Sequence, residues 1–312
     1  MPREITLSVV QAAPVAFDIA ASLEAVARLL QQAAQGKPDL VLFPEAFISG
    51  FPAGTDWGGA ATGVRCEQGS LDYQRYYDGA ITVPGPDCDR LGELARTHSV
   101  NLVIGVIERV GTSLSCSVLH FDRAGALVHV RRKLMPTMAE RTIWGQADGT
   151  SLTACDFDFG RTATVICWEN YMPMLRQTMY AQGIELYCAP TADDLEGWVS
   201  SMRHIATEGR CFLASACQFS RRRDFPADYG SFPSDDPDFI VSHGGSCIVD
   251  PTGNLLAGPV YDREAILSAR IDLDAVIRAR HMFDVTGHYA RPDIFQLHVD
   301  RRPKAAVRFS DQ

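Results

Sequence analysis

No apolar run in the 312-residue chain exceeds a handful of residues, whereas a helix across a bilayer needs about 20. A membrane span is excluded on that ground. The Cys-x-x-Cys spacing is absent, and nine cysteines is an odd number for a disulfide framework. Neither a disulfide scaffold nor a structural metal site is expected, and most of the thiols read as small core hydrophobes. Positive charge is scarce: 29 Lys and Arg stand against 38 Asp and Glu, a formal net charge of -9. Nucleic-acid binding depends on a positive surface that displaces counterions, so no nucleic-acid partner is expected. The one dense basic run, Arg221-Arg222-Arg223, is followed by Asp224, Asp228, Asp235, Asp236 and Asp238 and reads as a solvated loop. With 46% hydrophobic and 21% charged residues, a disordered or collagen-like chain is also excluded. The N-terminus carries two charges and then alternates, so it reads as a first strand rather than a signal peptide. A cytoplasmic protein is expected.

What is present is alternation. Ile5, Leu7 and Val9 share one face of a half-buried strand. Residues 18–35 carry Ile19, Leu23, Val26 and Leu30 at helical spacing, closed by Gly36 and Pro38. Leu40–Phe43, Leu102–Ile107, Thr162–Ile166, Leu186–Ala189 and Phe212–Ala216 are apolar runs of the kind found in strands buried on both faces. Helical patterns fit 87–99, 173–182 and 197–209. The alternation predicts an α/β domain, and no linker-like stretch divides the chain. Asp122-Arg123-Ala124-Gly125 and Asp250-Pro251-Thr252-Gly253 both read as type I turns between strands, a hint of two halves with related topology. Residues 50–80, with Trp57, Tyr73, Tyr76 and Tyr77, and residues 219–242 read as long irregular segments that wall a pocket or a subunit contact.

Three reactive side chains stand where apolar strands end: Glu45, Lys133 and Cys167. Ligands of α/β sheets bind at the carboxyl ends of strands, so the three can converge. A cysteine at a strand-to-helix turn also gains from the positive end of the helix, which favours thiolate. His204 and His243 are the partners a Cys-His hydrolase would need, but no local signature of a papain-like enzyme accompanies them. Trp144, Tyr171 and Trp198 read as core.

The segments around these residues carry a resemblance. Phe43-Pro44-Glu45-Ala46-Phe47-Ile48-Ser49-Gly50-Phe51-Pro52 resembles the glutamate motif of the nitrilase superfamily. Arg132-Lys133-Leu134-Met135-Pro136-Thr137, followed by Glu140-Arg141 and Trp144-Gly145, resembles its lysine motif. Val165-Ile166-Cys167-Trp168-Glu169-Asn170-Tyr171-Met172-Pro173 resembles its cysteine motif, with further matches at His243–Cys247 and Leu256–Tyr261. The resemblance runs from about residue 5 to 298. It implies a four-layer α-β-β-α sandwich forming one domain over 1–312, with 299–312 as a short tail. It also implies a Glu-Lys-Cys catalytic set, no cofactor, and a homo-oligomer with a dimer as the minimum. The Cys-Trp-Glu sequence is similar to the nitrilase branch proper. Two departures stand out: Gln146-Ala147-Asp148-Gly149 replaces a Gly-Asp-Gly segment, and the long tail that supports spiral assemblies is lacking.

By this resemblance Cys167 is the nucleophile, Glu45 its general base, and Lys133 the cation that meets charge developing on the nitrile nitrogen. Glu140 orients Lys133 or a water, and Trp168 and Met138, which adjoin motif positions, line the substrate pocket. Glu169 points elsewhere and reads as structural. The implied reaction takes an organic nitrile and two waters to a carboxylic acid and ammonia. An aliphatic amidase using the same three residues is the alternative enzyme. A catalytically inactive scaffold is the alternative of another class, and the intact set argues against it.

Overall fold

A computed structural model describes residues 3–54, 67–305 and 307. Its first sheet contains β1 (Glu4–Gln11), β2 (Leu40–Leu42) and β3 (Asn101–Val110), which run parallel. β4 (Ser113–Phe121) and β5 (Leu127–Arg132) follow antiparallel. The second contains β6 (Cys155–Phe157), β7 (Gly160–Thr164), β8 (Leu186–Thr191), β9 (Phe212–Cys217), β10 (Phe219–Arg221), β11 (Ile240–Val249) and β12 (Leu255–Tyr261). Here β7, β8 and β9 are parallel, and β11 pairs antiparallel with β9, β10 and β12. The chain then returns to the first sheet as β13 (Ala265–Asp272), antiparallel to β1. The helices are α1 (Ile19–Ala34), α2 (Glu67–Asp78), α3 (Pro86–His98), α4 (Pro173–Tyr180), α5 (Gly197–Gly209) and α6 (Asp274–Met282).

Period-two alternation sorts these strands between two faces. Leu7 and Val9 of β1 and Leu40 and Leu42 of β2 meet Leu186, Cys188, Ala214 and Ile248 of the other sheet in a central core. Val41, Leu102 and Ile104 turn the other way, against Val26, Leu29 and Leu30 of α1 and Leu91 and Leu94 of α3. On the far side, Ala163, Tyr187 and Leu213 pack under Leu175 and Met179 of α4 and Trp198, Met202 and Ile205 of α5. Three cores between four layers make the α-β-β-α sandwich. Asp18 starts α1 as an N-cap, its carboxylate accepting the Ala21 N–H at 2.9 Å.

The two turns close as expected, Gly125 N–H donating to Asp122 O at 2.9 Å and Gly253 N–H to Asp250 O at 3.0 Å. They also occupy matching places. Each half has three parallel strands, then an antiparallel strand, then a hairpin: β1-β2-β3-β4-β5 and β7-β8-β9-β11-β12.

Three expectations need correction. Within 219–242, expected to be irregular, residues 219–221 are β10 and residues 240–242 open β11. Within 50–80, residues 67–78 are α2, where Tyr76 is buried and its hydroxyl donates to Gly50 O at 3.0 Å; its low apolar content hid the helical period. Trp57 lies outside the described residues. The basic run is not wholly solvated. Arg221 and Arg223 pair with Asp238, but Arg222 is buried and donates to the carbonyls of Phe225, Pro226 and Ala227. That clamp shapes residues 225–232, whose Phe225 and Tyr229 form a small core with Ala16.

Candidate active site

β2 ends at Leu42, and Glu45 follows on a tight turn in which Ala46 has φ +49°. The turn lies against β3, where Gly105 N–H donates to Pro44 O at 3.1 Å. A Cβ on Gly105 would stand 2.6 Å from Glu45 Cα, so only glycine permits this approach. Lys133 is the first residue after β5, its own N–H donating to Cys116 O at 2.9 Å. Cys167 follows β7 with φ +50°, a left-handed conformation that turns the chain sharply at the thiol. All three side chains are buried, Cys167 being 4% exposed.

The ammonium of Lys133 donates to Glu45 Oε1 and to Glu140 Oε2, both at 2.7 Å, and lies 5.2 Å over the Trp144 ring. Glu140 also accepts the Thr137 N–H at 2.6 Å. Glu45 Oε2 accepts the Ala192 N–H at 3.1 Å, and the Cys116 thiol sits 3.4 Å from Oε1. Cys167 Sγ accepts from the Thr191 hydroxyl at 3.3 Å. Thr191, which ends β8, and Ala192 just past it therefore touch the thiol and the carboxylate respectively.

Burial opposes the Lys133 charge, but the carboxylates of Glu45 and Glu140 outweigh it and hold the ammonium well above the ordinary lysine range. Burial, then the charge of Glu45, pushes Glu140 up to about 7 against the pull of Lys133. The Cys167 thiol is raised for the same reasons: burial first, then Glu45, with Lys133 opposing. The expectation of a thiolate held by a helix N-terminus is thus corrected. Cys167–Tyr171 form a 3-10 turn and α4 begins only at Pro173, so the α-helix starts six residues past the thiol, and burial favours the protonated thiol at rest.

Behind these groups, Glu169 is buried and accepts from Arg131 (2.9 and 3.0 Å), from the Leu134 N–H (2.6 Å) and from the Ile166 N–H (3.1 Å). It ties the residue after Lys133 to the residue before Cys167. Asn170 braces the same turn, donating to Val165 O and Cys167 O at 2.9 and 2.7 Å. Among the described residues no group of three or more His, Cys, Asp or Glu side chains could hold a metal, and no helix is long and apolar enough to cross a membrane.

The sequence profile of the carbon-nitrogen hydrolases matches residues 6–281. The chain belongs to that family. It is 49% identical to an aliphatic nitrilase of Sinorhizobium fredii over 300 residues, covering 96% of this chain and 97% of that one. It is 46% identical to nitrilase 2 of Arabidopsis thaliana, over 98% of this chain and 91% of the relative. A bifunctional nitrilase/nitrile hydratase of Nicotiana tabacum is 47% identical over 98% and 89%. Among solved structures, a carbon-nitrogen hydrolase of Helicobacter pylori superposes with TM-score 0.73 at 22% identity, covering 94% of this chain and 97% of its own. A member of branch 10 of the nitrilase superfamily from Saccharomyces cerevisiae superposes with TM-score 0.72 at 19% identity, over 92% and 96%. At these identities the superpositions speak for the fold alone.

In this carbon-nitrogen hydrolase, Glu45, Lys133 and Glu140 meet by direct contact, and their charges act on Cys167. Trp168, 39% exposed, stands beside the thiol with its indole N–H donated to Asp193 at 2.7 Å. Met138 is 72% exposed at a positive-φ turn and is not drawn into the buried cluster. His243 pairs with Asp262 and His204 with Glu208, both at the surface. The Ala147 segment is ordered: its N–H donates to Lys133 O at 3.2 Å, and Asp148 accepts the Lys304 N–H at 2.8 Å. Thr191, Ala192, Asp193 and Cys116 escaped the sequence reading. Leu186–Ala189 was recognisable as a buried strand, and the rule that sites form at strand ends applied to it equally.

Proposed function

We propose that this carbon-nitrogen hydrolase is a nitrilase, in which Cys167 attacks the nitrile carbon while Glu45 takes the thiol proton. The observation that carries the reading is the buried Glu45–Lys133–Glu140 contact chain acting on the Cys167 thiol; the nitrilase names of near-full-length relatives support it. Because the thiol is neutral at rest, its deprotonation must accompany attack, which calls for a base inside the site. The S–C bond forms, and the nitrile nitrogen gains charge that Lys133 and the backbone N–H of Trp168 meet before it is protonated to a thioimidate. Water activated by Glu45 adds, the C–N bond breaks and ammonia leaves. A second water cleaves the thioester, releasing the acid and restoring the thiol. The tobacco relative's bifunctional name favours a minor branch: the same tetrahedral intermediate breaks its C–S bond instead and releases the amide.

Trp168 sets the electrophile's shape. With its N–H held by Asp193, it offers an apolar wall that suits a linear nitrile better than a planar amide with an NH2 to satisfy. In an ammonia-release screen of aliphatic, arylaliphatic and aromatic nitriles, the matching amides should turn over at least about a hundredfold more slowly. Comparable rates on an amide and its parent nitrile transfer the assignment to an amidase. The chain is further proposed to act as one domain in a cytoplasmic homo-oligomer, at least a dimer, which light scattering would report.

A further inference from the structure

We propose that Thr191 is a further catalytic residue: its hydroxyl is fixed as a donor to Cys167 Sγ and stabilises the thiolate as it attacks. The inference rests on Cys167 being the nucleophile. Thr191 ends β8 fully buried. Its oxygen accepts the Asp193 N–H at 2.9 Å and lies 3.3 Å from Sγ. A hydroxyl has one hydrogen to give. If the thiol donated to Thr191 instead, that hydrogen would be buried without an acceptor, which is costly. Thr191 therefore donates, and Sγ keeps its own proton for the side on which the carboxylate acts.

The arrangement answers a difficulty of the site. The titratable groups acting on the thiol are Glu45 from the β2 loop, Lys133 from the end of β5 and Glu140 from the turn after it. Cys217 of β9 and Tyr171 of the thiol's own turn also lie close enough to interact with it. Two of these are carboxylates that oppose a second negative charge, and only Lys133 favours it. Lys133 already serves both carboxylates. A fixed neutral donor on Sγ adds stabilisation without adding charge. In the attack, the proton passes from Sγ to Glu45 and the S–C bond forms. The Thr191 hydrogen bond strengthens while sulfur is anionic and weakens as the charge moves to the nitrile nitrogen.

The test is alkylation of Cys167 by iodoacetamide across pH, read by peptide mass spectrometry, in wild type, Thr191→Val, Thr191→Ala and Thr191→Ser. A hydrogen bond to a charged group changes such a rate about ten- to a hundredfold. Thr191→Val should slow alkylation by that factor and move its pH midpoint upward, with Thr191→Ser restoring both. Thr191→Ala serves should the valine variant lose its thermal transition. Wild-type rate and midpoint in Thr191→Val or Thr191→Ala, with Cys167 still the labelled residue, overturn the role of Thr191 and leave the nucleophile standing. Preferential labelling of another cysteine in wild type overturns both.

Discussion

With Glu45 and Glu140 each 2.7 Å from its nitrogen, Lys133 keeps its charge in a site closed to solvent, ready for the charge that appears only during reaction. Lys133→Met should lower kcat by about 10²–10³ with little change in substrate binding. More than about a tenth of wild-type kcat in steady-state assays would contradict that role. Glu140 supplies a pH signature. Its folded carboxyl titrates at about 7, against 4.5 for an ordinary glutamate, so the folded state keeps a proton that the unfolded chain gives up. The associated stability is complete below 4.5 and is lost as pH rises to about 7. Glu140→Gln should remove that part of the slope of melting temperature against pH. It should also remove an inflection near 7 from the kcat/KM profile. An unchanged profile in the variant would separate Glu140 from Lys133. The sequence carried Glu45, Lys133, Glu140 and Cys167 because each stands in an extended motif. Thr191 and Cys116 stand in none, and their places follow only from how β8 is laid beside β7 and β4 beside β3 and β5.

At the scale of elements, the Arg131–Glu169 pair joins the end of β5 to the turn after β7 with both partners 1% exposed. Removing one partner strands a buried charge. Glu169→Leu should cost about 3–5 kcal/mol, whereas Arg131→Met with Glu169→Leu recovers much of it. Urea denaturation of the single and double variants measures the difference, and equal losses in both would show that the charges are not coupled. Ten of the strands and four of the helices were legible because each buries a face and writes its period into the sequence; β6, β10, β13 and α6 were not. α1, α3, α4 and α5 fall within a few residues of their expected spans. α2 did not announce itself: among its 12 residues only Gly69 and Tyr76 are buried, too few to write a period. Arg222 was misread because a charge run says nothing about the carbonyls the fold brings to it.

Across the whole molecule, the two sheets are also joined by polar atoms. His120 of β4 makes a 2.8 Å contact through Nε2 with the Thr164 hydroxyl of β7, and His129 of β5 lies beside it. Burial, then the charge of Arg131, lowers His129 from 6.5 to about 4, and burial, then His129, lowers His120 well below its ordinary value. Both are folded neutral, so the unfolded chain binds more protons below 6.5. Stability is present above that pH and is lost as pH falls towards 4. His129→Gln should flatten part of this acid limb in thermal melts between those values, and an identical limb would place the loss elsewhere. The twofold echo of β1–β5 in β7–β12 was faintly legible in two turns alone, since pairing partners are set by tertiary packing. The molecule carries nine cysteines, and the eight described are all buried, so which thiol reacts is a question for the intact chain. Wild-type protein quenched during turnover of a slow nitrile should show one acyl or imidate adduct by mass spectrometry, on the peptide containing Cys167. Cys167→Ala should show none and release no ammonia. An adduct on another cysteine, or turnover by Cys167→Ala, would contradict the mechanism at its first step.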